Sequence, residues 1–106
     1  PASVEHNTRH AYHLFTIRIN CEKNSISRDE FLSAMTAQNI GIGVHYLSLP
    51  EHPYYQKHLS VRPEDFPHAY SFGRETVSLP LSPKLTDSDV DDVIDAVRSI
   101  ILKKRR

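Results

Sequence analysis

The stretch from Val77 to Ile101 reads VSLPLSPKLTDSDVDDVIDAVRSII, and two periodicities meet in it. Val77, Leu79 and Leu81 alternate with Ser78 and Pro80, the period of two that marks a half-buried strand. Pro80 has no N–H to give to a ladder, so this strand is expected at an edge or near its end. Thr86 then stands where a helix N-cap belongs, with Leu85 and Val90 spaced as a hydrophobic staple across it. Val90, Val93, Ile94, Val97, Ile100 and Ile101 follow as one apolar stripe of helical period. Asp87, Asp89, Asp91 and Asp92 crowd the start of this helix; Lys103, Lys104, Arg105 and Arg106 crowd its end. Both biases complement the helix dipole, each charge being worth about 0.3–1 kcal/mol. The basic tail therefore reads as a solvated helix end rather than a nucleic-acid patch.

Upstream, Phe15, Ile17 and Ile19 alternate with Thr16, Arg18 and Asn20, which predicts a strand within residues 10–19. A polar turn over residues 22–25 follows. Ser27 and Glu30 have the spacing of a capping box, and Ile26 with Phe31 that of a staple, so a helix with Phe31, Leu32 and Met35 on one side is expected up to residues 39–41. Ile40, Ile42, Val44 and Tyr46 alternate with Gly41, Gly43 and His45. This predicts another strand, its glycines on the face that something approaches closely. Residues 47–65 are rich in Pro, His and Tyr without a clean period and read as a long loop, with a short helical turn over residues 54–59. Residues 66–75 predict a helix with Phe66, Ala69, Tyr70 and Gly73 on one side. Strands and amphipathic helices in this order predict an α/β fold, a two-layer sandwich in which a small sheet of about three strands is covered by helices.

A chain of 106 residues fits one domain. Its 13 Lys+Arg balance its 13 Asp+Glu, so the basic excess of a dedicated nucleic-acid binder is absent. No stretch approaches the ~20 apolar residues of a membrane span, and no secretion leader is visible; a cytoplasmic protein is expected. Cys21, the single cysteine, excludes an internal disulfide and a cysteine-based zinc site. The chain opens on Pro1, its one methionine is Met35, and residues 1–9 lack periodicity. They are expected to be a linker entering a C-terminal piece of something longer.

The seven histidines invite a metal, but the pattern does not support one. His10 and His13, three apart on a strand, would point to opposite faces. His45, His52 and His58 with Glu51 and Asp65 show no ligand spacing. Cys21 carries no nucleophile signature, the serines no nucleophile elbow, and Gly41-x-Gly43 precedes a strand instead of opening a helix. No self-sufficient active site is evident. The best candidate is the ledge Gly41-Ile42-Gly43-Val44-His45-Tyr46, where an imidazole and a phenol stand at the exit of a strand into a long loop. Two readings stand for His45, a ligand-facing group or a structural hydrogen bond to the backbone; Tyr46 reads more simply as packing against Ile42 and Val44.

Several runs, in order and spacing, make the chain similar to the C-terminal domain of the DegT/DnrJ/StrS aminotransferases. They are His10-Ala11-Tyr12-His13-Leu14-Phe15, Ser27-Arg28-Asp29, Gly41 to Tyr46, Ser78-Leu79-Pro80-Leu81-Ser82-Pro83 and Thr86-Asp87-Ser88-Asp89-Val90. The resemblance covers residues 10–102 and implies the small C-terminal domain of an aspartate-aminotransferase-like fold, spanning residues 10–106 behind the linker. It implies a pyridoxal-phosphate enzyme that transfers an amino group, from glutamate, to a nucleotide-linked keto sugar in cell-surface polysaccharide biosynthesis. A large N-terminal domain would hold the cofactor and the lysine that joins it covalently. Lys23, Lys57, Lys84, Lys103 and Lys104 match no such lysine motif, so no catalytic or cofactor-binding residue is expected in this chain, nor activity from it alone.

By the same resemblance His45 would hydrogen-bond the sugar or diphosphate, and Tyr46 would line that pocket. The loop through Glu51 and Tyr55 would help to select the substrate, while His10, Tyr12 and His13 would pack or position near the domain junction. The implied partners are the large domain, the nucleotide sugar and, for the parent, a second copy in a homodimer. Two alternatives stand beside this one: a free-standing ferredoxin-like binding or regulatory domain, and the family's sugar dehydratase branch. Apolar surface around Leu47, Leu49 and Tyr55 would lie exposed without a partner domain.

Overall fold

The computed structural model describes residues 4–104, with side chains as far as Leu102. Two antiparallel strands form the sheet, β1 (Phe15–Arg18) and β2 (Thr76–Leu79), in register Phe15↔Leu79, Thr16↔Ser78, Ile17↔Val77 and Arg18↔Thr76. Between them in sequence come α1 (Cys21–Asn24), α2 (Arg28–Thr36), α3 (Pro53–Leu59) and α4 (Pro67–Glu75), and α5 (Asp87–Lys104) follows β2. The α/β class is as the sequence predicts. The polar turn is a short helix, because the Asn20 side chain accepts the Lys23 N–H and caps it.

Side chains alternate across the strands, so Ile17, Ile19, Val77 and Leu79 share one face of the sheet. That face belongs to the core, where Ile19, Ile26, Phe31, Met35, Val77, Ala96 and Ile100 are buried together. Helix α2 starts in the capping box foreseen: Ser27 Oγ accepts the Glu30 N–H, and the Glu30 carboxylate accepts the Ser27 N–H. It packs on both α5 and β2. In α5 the stripe is rotated from the expected one. Val93, Ala96, Val97, Ile100 and Ile101 face the core, whereas Val90 and Ile94 are exposed. One neighbouring helix covers only part of so wide an apolar arc. The basic side chains of residues 103–106 lie outside the described residues, as do Pro1–Ser3 of the expected linker.

Arg28 is buried although it is charged. Its Nη1 donates to the carbonyls of Gly73 (3.1 Å) and Thr76 (3.5 Å), and its Nε pairs with Asp29. A cation thus sits on the carbonyl end of α4, where the helix dipole favours it.

The expected strand over residues 40–46 is reduced to one rung. Gly43 and Ser78 exchange both backbone hydrogen bonds (3.1 and 2.8 Å), and the ladder stops there. The next paired rungs would fall at Gly41 opposite Pro80 and His45 opposite Thr76. Pro80 has no N–H, and the Thr76 N–H is given to the Phe72 carbonyl at the end of α4. Neither rung can form. Strand β2 is consequently the inner strand, and Pro80 falls just past its end.

Thr86 caps α5 as expected, and Asp89 completes the cap: the Thr86 N–H and hydroxyl both donate to its carboxylate (2.8 and 2.7 Å), while Thr86 Oγ1 accepts the Asp89 N–H. Those two bonds from Thr86, the hydroxyl foremost, hold the Asp89 carboxyl below its ordinary pKa. Replacing Thr86 with Ala is expected to cost about 1 kcal/mol at neutral pH. Because the folded-state pKa is depressed, the contribution of Asp89 is present above the unfolded value of about 3.9 and fades as the pH falls through the folded one. The difference in thermal unfolding between Thr86→Ala and the parent should accordingly shrink below about pH 4. An equal gap at pH 7 and pH 3 would show that Asp89 takes no part.

Candidate functional site

The ledge is assembled on β2. Ser78, buried at the centre of the strand, binds Gly43 through its backbone and His45 through its side chain: His45 Nδ1 and Ser78 Oγ lie 2.8 Å apart. Gly43 makes room for this fold-back. A Cβ on it would stand 2.8 Å from His45 Cε1, so the imidazole lies over the space a side chain would fill. Gly41 has no such neighbour, which limits the expected close approach to one of the two glycines. His45 is half-buried, and its Nε2 has no partner among the described residues.

The ring of Tyr46 meets that of His45 edge-on at 4.8 Å and is 71% exposed. Packing against Ile42 and Val44 therefore does not account for it. The peptide between the two residues is cis. His45 does make a structural bond, but to a hydroxyl instead of a backbone group, and this leaves one ring nitrogen without a partner among the described residues, beside an exposed phenol. Such a pair can donate to and accept from a polar, hydroxyl-rich or anionic ligand.

The loop after the ledge is more ordered than the sequence suggests. A 3-10 turn at Leu49–Glu51 leads into α3, and a second at Pro63–Asp65 leads into α4. The Arg62 guanidinium holds the Asp65 carboxyl below its usual range, and that carboxyl raises Arg62 in return. Glu51, in the loop expected to help select the substrate, has a side chain only 5% exposed. Its Oε2 accepts from Ser48 Oγ at 2.6 Å, and its Oε1 lies 2.6 Å from Arg74 Nη2 in α4 but out of line for a hydrogen bond. Glu51 is committed to this interior contact and is not free to read a ligand. Tyr55 is half-buried, edge-on to His52 and Tyr54, and lines an apolar groove with Leu49, Pro50, Leu59 and Phe66. Leu47 and Leu49 are exposed, as expected.

His10, Tyr12 and His13 precede β1 and are exposed, so the opposite-face argument made for them on a strand does not apply. His10 Nδ1 accepts the Tyr12 N–H at 2.8 Å, and the two rings lie 4.6 Å apart. Among the described residues no group of three or more His, Cys, Asp or Glu converges as a metal site would require. Lys23, Lys57 and Lys84 are exposed on α1, α3 and a turn. As exposed side chains, these three lack the enclosure that a covalently held cofactor needs. No helix among them is long and apolar enough to cross a membrane.

Residues 1–98 match the model of the DegT/DnrJ/EryC1/StrS aminotransferase family. The chain belongs to that family. It is 42% identical over 99 residues to the spore coat polysaccharide biosynthesis protein SpsC of Bacillus subtilis (strain 168), a match covering 92% of this chain and 25% of SpsC. It is 38% identical over 103 residues to the uncharacterized protein MJ1066 of Methanocaldococcus jannaschii, covering 97% of this chain and 27% of that protein. Among solved structures it is similar to "Putative sugar aminotransferase Spr1654" of Streptococcus pneumoniae. In both the apo form (29% identity) and the PLP form (28%) the TM-score is 0.74, over 87% of this chain and 23% of that one. The chain thus spans about a quarter of the length of the family members it matches.

The sequence pointed to His45 and Tyr46 through the glycines beside them. It missed the parts of Ser78, which binds Gly43 and His45, of Gly73, which lies against Ser48, and of Arg74, which faces Glu51. Ser78 carried one signal, a polar residue set between the apolar positions of a strand.

Proposed function

We propose that this chain is the C-terminal small domain of a pyridoxal-phosphate aminotransferase that moves an amino group from glutamate to a nucleotide-linked keto sugar, and that its ledge binds the sugar nucleotide. The observation that carries this reading is an imidazole fixed through Nδ1 by Ser78, its Nε2 without a partner among the described residues, beside an exposed phenol. Family membership and the likeness to a sugar aminotransferase solved with and without PLP support it over a free-standing ferredoxin-like domain. The name of SpsC supports a place in polysaccharide synthesis.

In this reading residues 1–9 lead in from a large domain, which holds the cofactor and the reactive lysine in a cytoplasmic homodimer. The cofactor, when bound there, supplies the electron sink for amino transfer. His45 hydrogen-bonds the sugar hydroxyls or the diphosphate, Tyr46 walls the same pocket, and the chain by itself does not transaminate.

The test uses the full-length protein with glutamate and a panel of UDP- and dTDP-linked keto hexoses. His45→Ala is expected to lower kcat/KM by ten- to a hundredfold, about 1.4–2.8 kcal/mol, while bound cofactor absorbance is unchanged. Unaltered kcat/KM would remove His45 from the site. Parallel loss of cofactor would make the effect structural.

A further inference from the structure

Resting on that reading of the ledge, we propose that Glu51 and Arg74 are positioning residues for it, a latch that clamps the Tyr46–Glu51 segment on α4. The ledge is attached at two ends. At the His45 end, Ser78 and the Gly43 rung tie it to β2. At the other end it meets one side of α4. There Gly73 lets the chain approach so closely that a Cβ would stand 2.7 Å from the Ser48 nitrogen and 3.3 Å from the Tyr46 carbonyl oxygen.

Glu51 closes this second end. Its carboxylate is withdrawn from water, accepts from Ser48 Oγ, and faces the Arg74 guanidinium, which also lies over the Tyr70 ring at 5.4 Å. A carboxylate is buried at a cost that only close partners offset. Of its two partners, Ser48 belongs to the ledge segment and Arg74 to the helix. The pair therefore joins one to the other, and through Ser48 and Leu47 it sets where the Tyr46 phenol stands. Glu51 and Arg74 need not touch substrate to do this.

The experiment uses the full-length protein and reads hydrogen–deuterium exchange by mass spectrometry, which requires no ligand. Glu51→Gln keeps the shape and an acceptor for Ser48 but removes the charge facing Arg74. Exchange in peptides spanning residues 45–52 is expected to quicken about tenfold, with β2 and α5 unchanged. Arg74→Lys, which keeps the charge, should stay near the parent. No change, or equal quickening throughout the domain, overturns the latch.

With the acceptors of the His45→Ala assay, Glu51→Gln is further expected to raise KM about fivefold with kcat within twofold. An unchanged KM where His45→Ala raises it overturns the positioning role and leaves the site reading standing. Local quickening together with an inert His45→Ala has the opposite meaning, since the latch then holds and the site reading fails.

Discussion

Phe31→Ala is expected to lose about 3–5 kcal/mol of folding stability, the largest effect of any single side chain in the domain. Phe31 is fully buried at the fourth position of α2, in one cluster with Ile26, Met35 and Val77. It therefore joins the helix layer to the sheet. Removing the ring forfeits its transfer free energy and leaves a cavity in the close-packed core. A domain of this size has roughly 5–15 kcal/mol in hand, so the variant should unfold at far lower denaturant concentration with little change in slope. Leu32→Ala, one residue on and only half-buried, is the comparison. A midpoint shift for Phe31→Ala no greater than that of Leu32→Ala would mean that the core is not centred there.

Gly73→Ala should have the largest effect on substrate use of any change that removes no functional group. In an ordinary helix this substitution stabilises by roughly 0.5–1 kcal/mol. Here the new methyl meets backbone, the Ser48 nitrogen at 2.7 Å, closer than real Cβ contacts come. Overpacking of this kind costs about 1–3 kcal/mol, so the collision outweighs the helical gain. The movable side of the contact is the ledge, since Gly73 is held in α4 and its carbonyl is bound by Arg28. A loss of about tenfold in kcat/KM for the sugar acceptor is therefore expected, with cofactor absorbance intact and a slightly lower Tm. Gly41→Ala, where the Cβ enters open space, is the stability control and should not lower the Tm. A Gly73→Ala protein that is more stable and fully active would show that Ser48 does not bear on α4.

What could be read beforehand was what is local in the chain. The capping box of Ser27 with Glu30 and the cap at Thr86 each lie within four residues, and the alternation from Phe15 to Ile19 needs no knowledge of a partner strand. The same logic misjudged residues 40–46. Their alternation is genuine, but pairing depends on Pro80 and on where the Thr76 N–H goes, and the latter is decided by α4. The interior partners of two charged residues were likewise beyond local reading. Arg28 donates to a carbonyl 45 residues further on. Glu51 finds its counter-ion in another helix. Charged side chains belong by default at the surface, and only the folded topology supplies the partners that let these two go inside. The rotated stripe of α5 has the same origin, because periodicity gives the width of an apolar arc but not which part of it a neighbour will cover.

The single rung at Gly43 has a consequence for how such a scaffold can diversify. The two 3-10 turns between Tyr46 and Phe66 rest on α4, and just ahead of them Ser78 ties Gly43 and His45 to the sheet. Mount and cargo are thus nearly separate. A different cassette of some twenty residues can be grafted between those moorings without recutting the buried heart of the molecule, provided that it keeps the glycine-lined seat and the serine clasp.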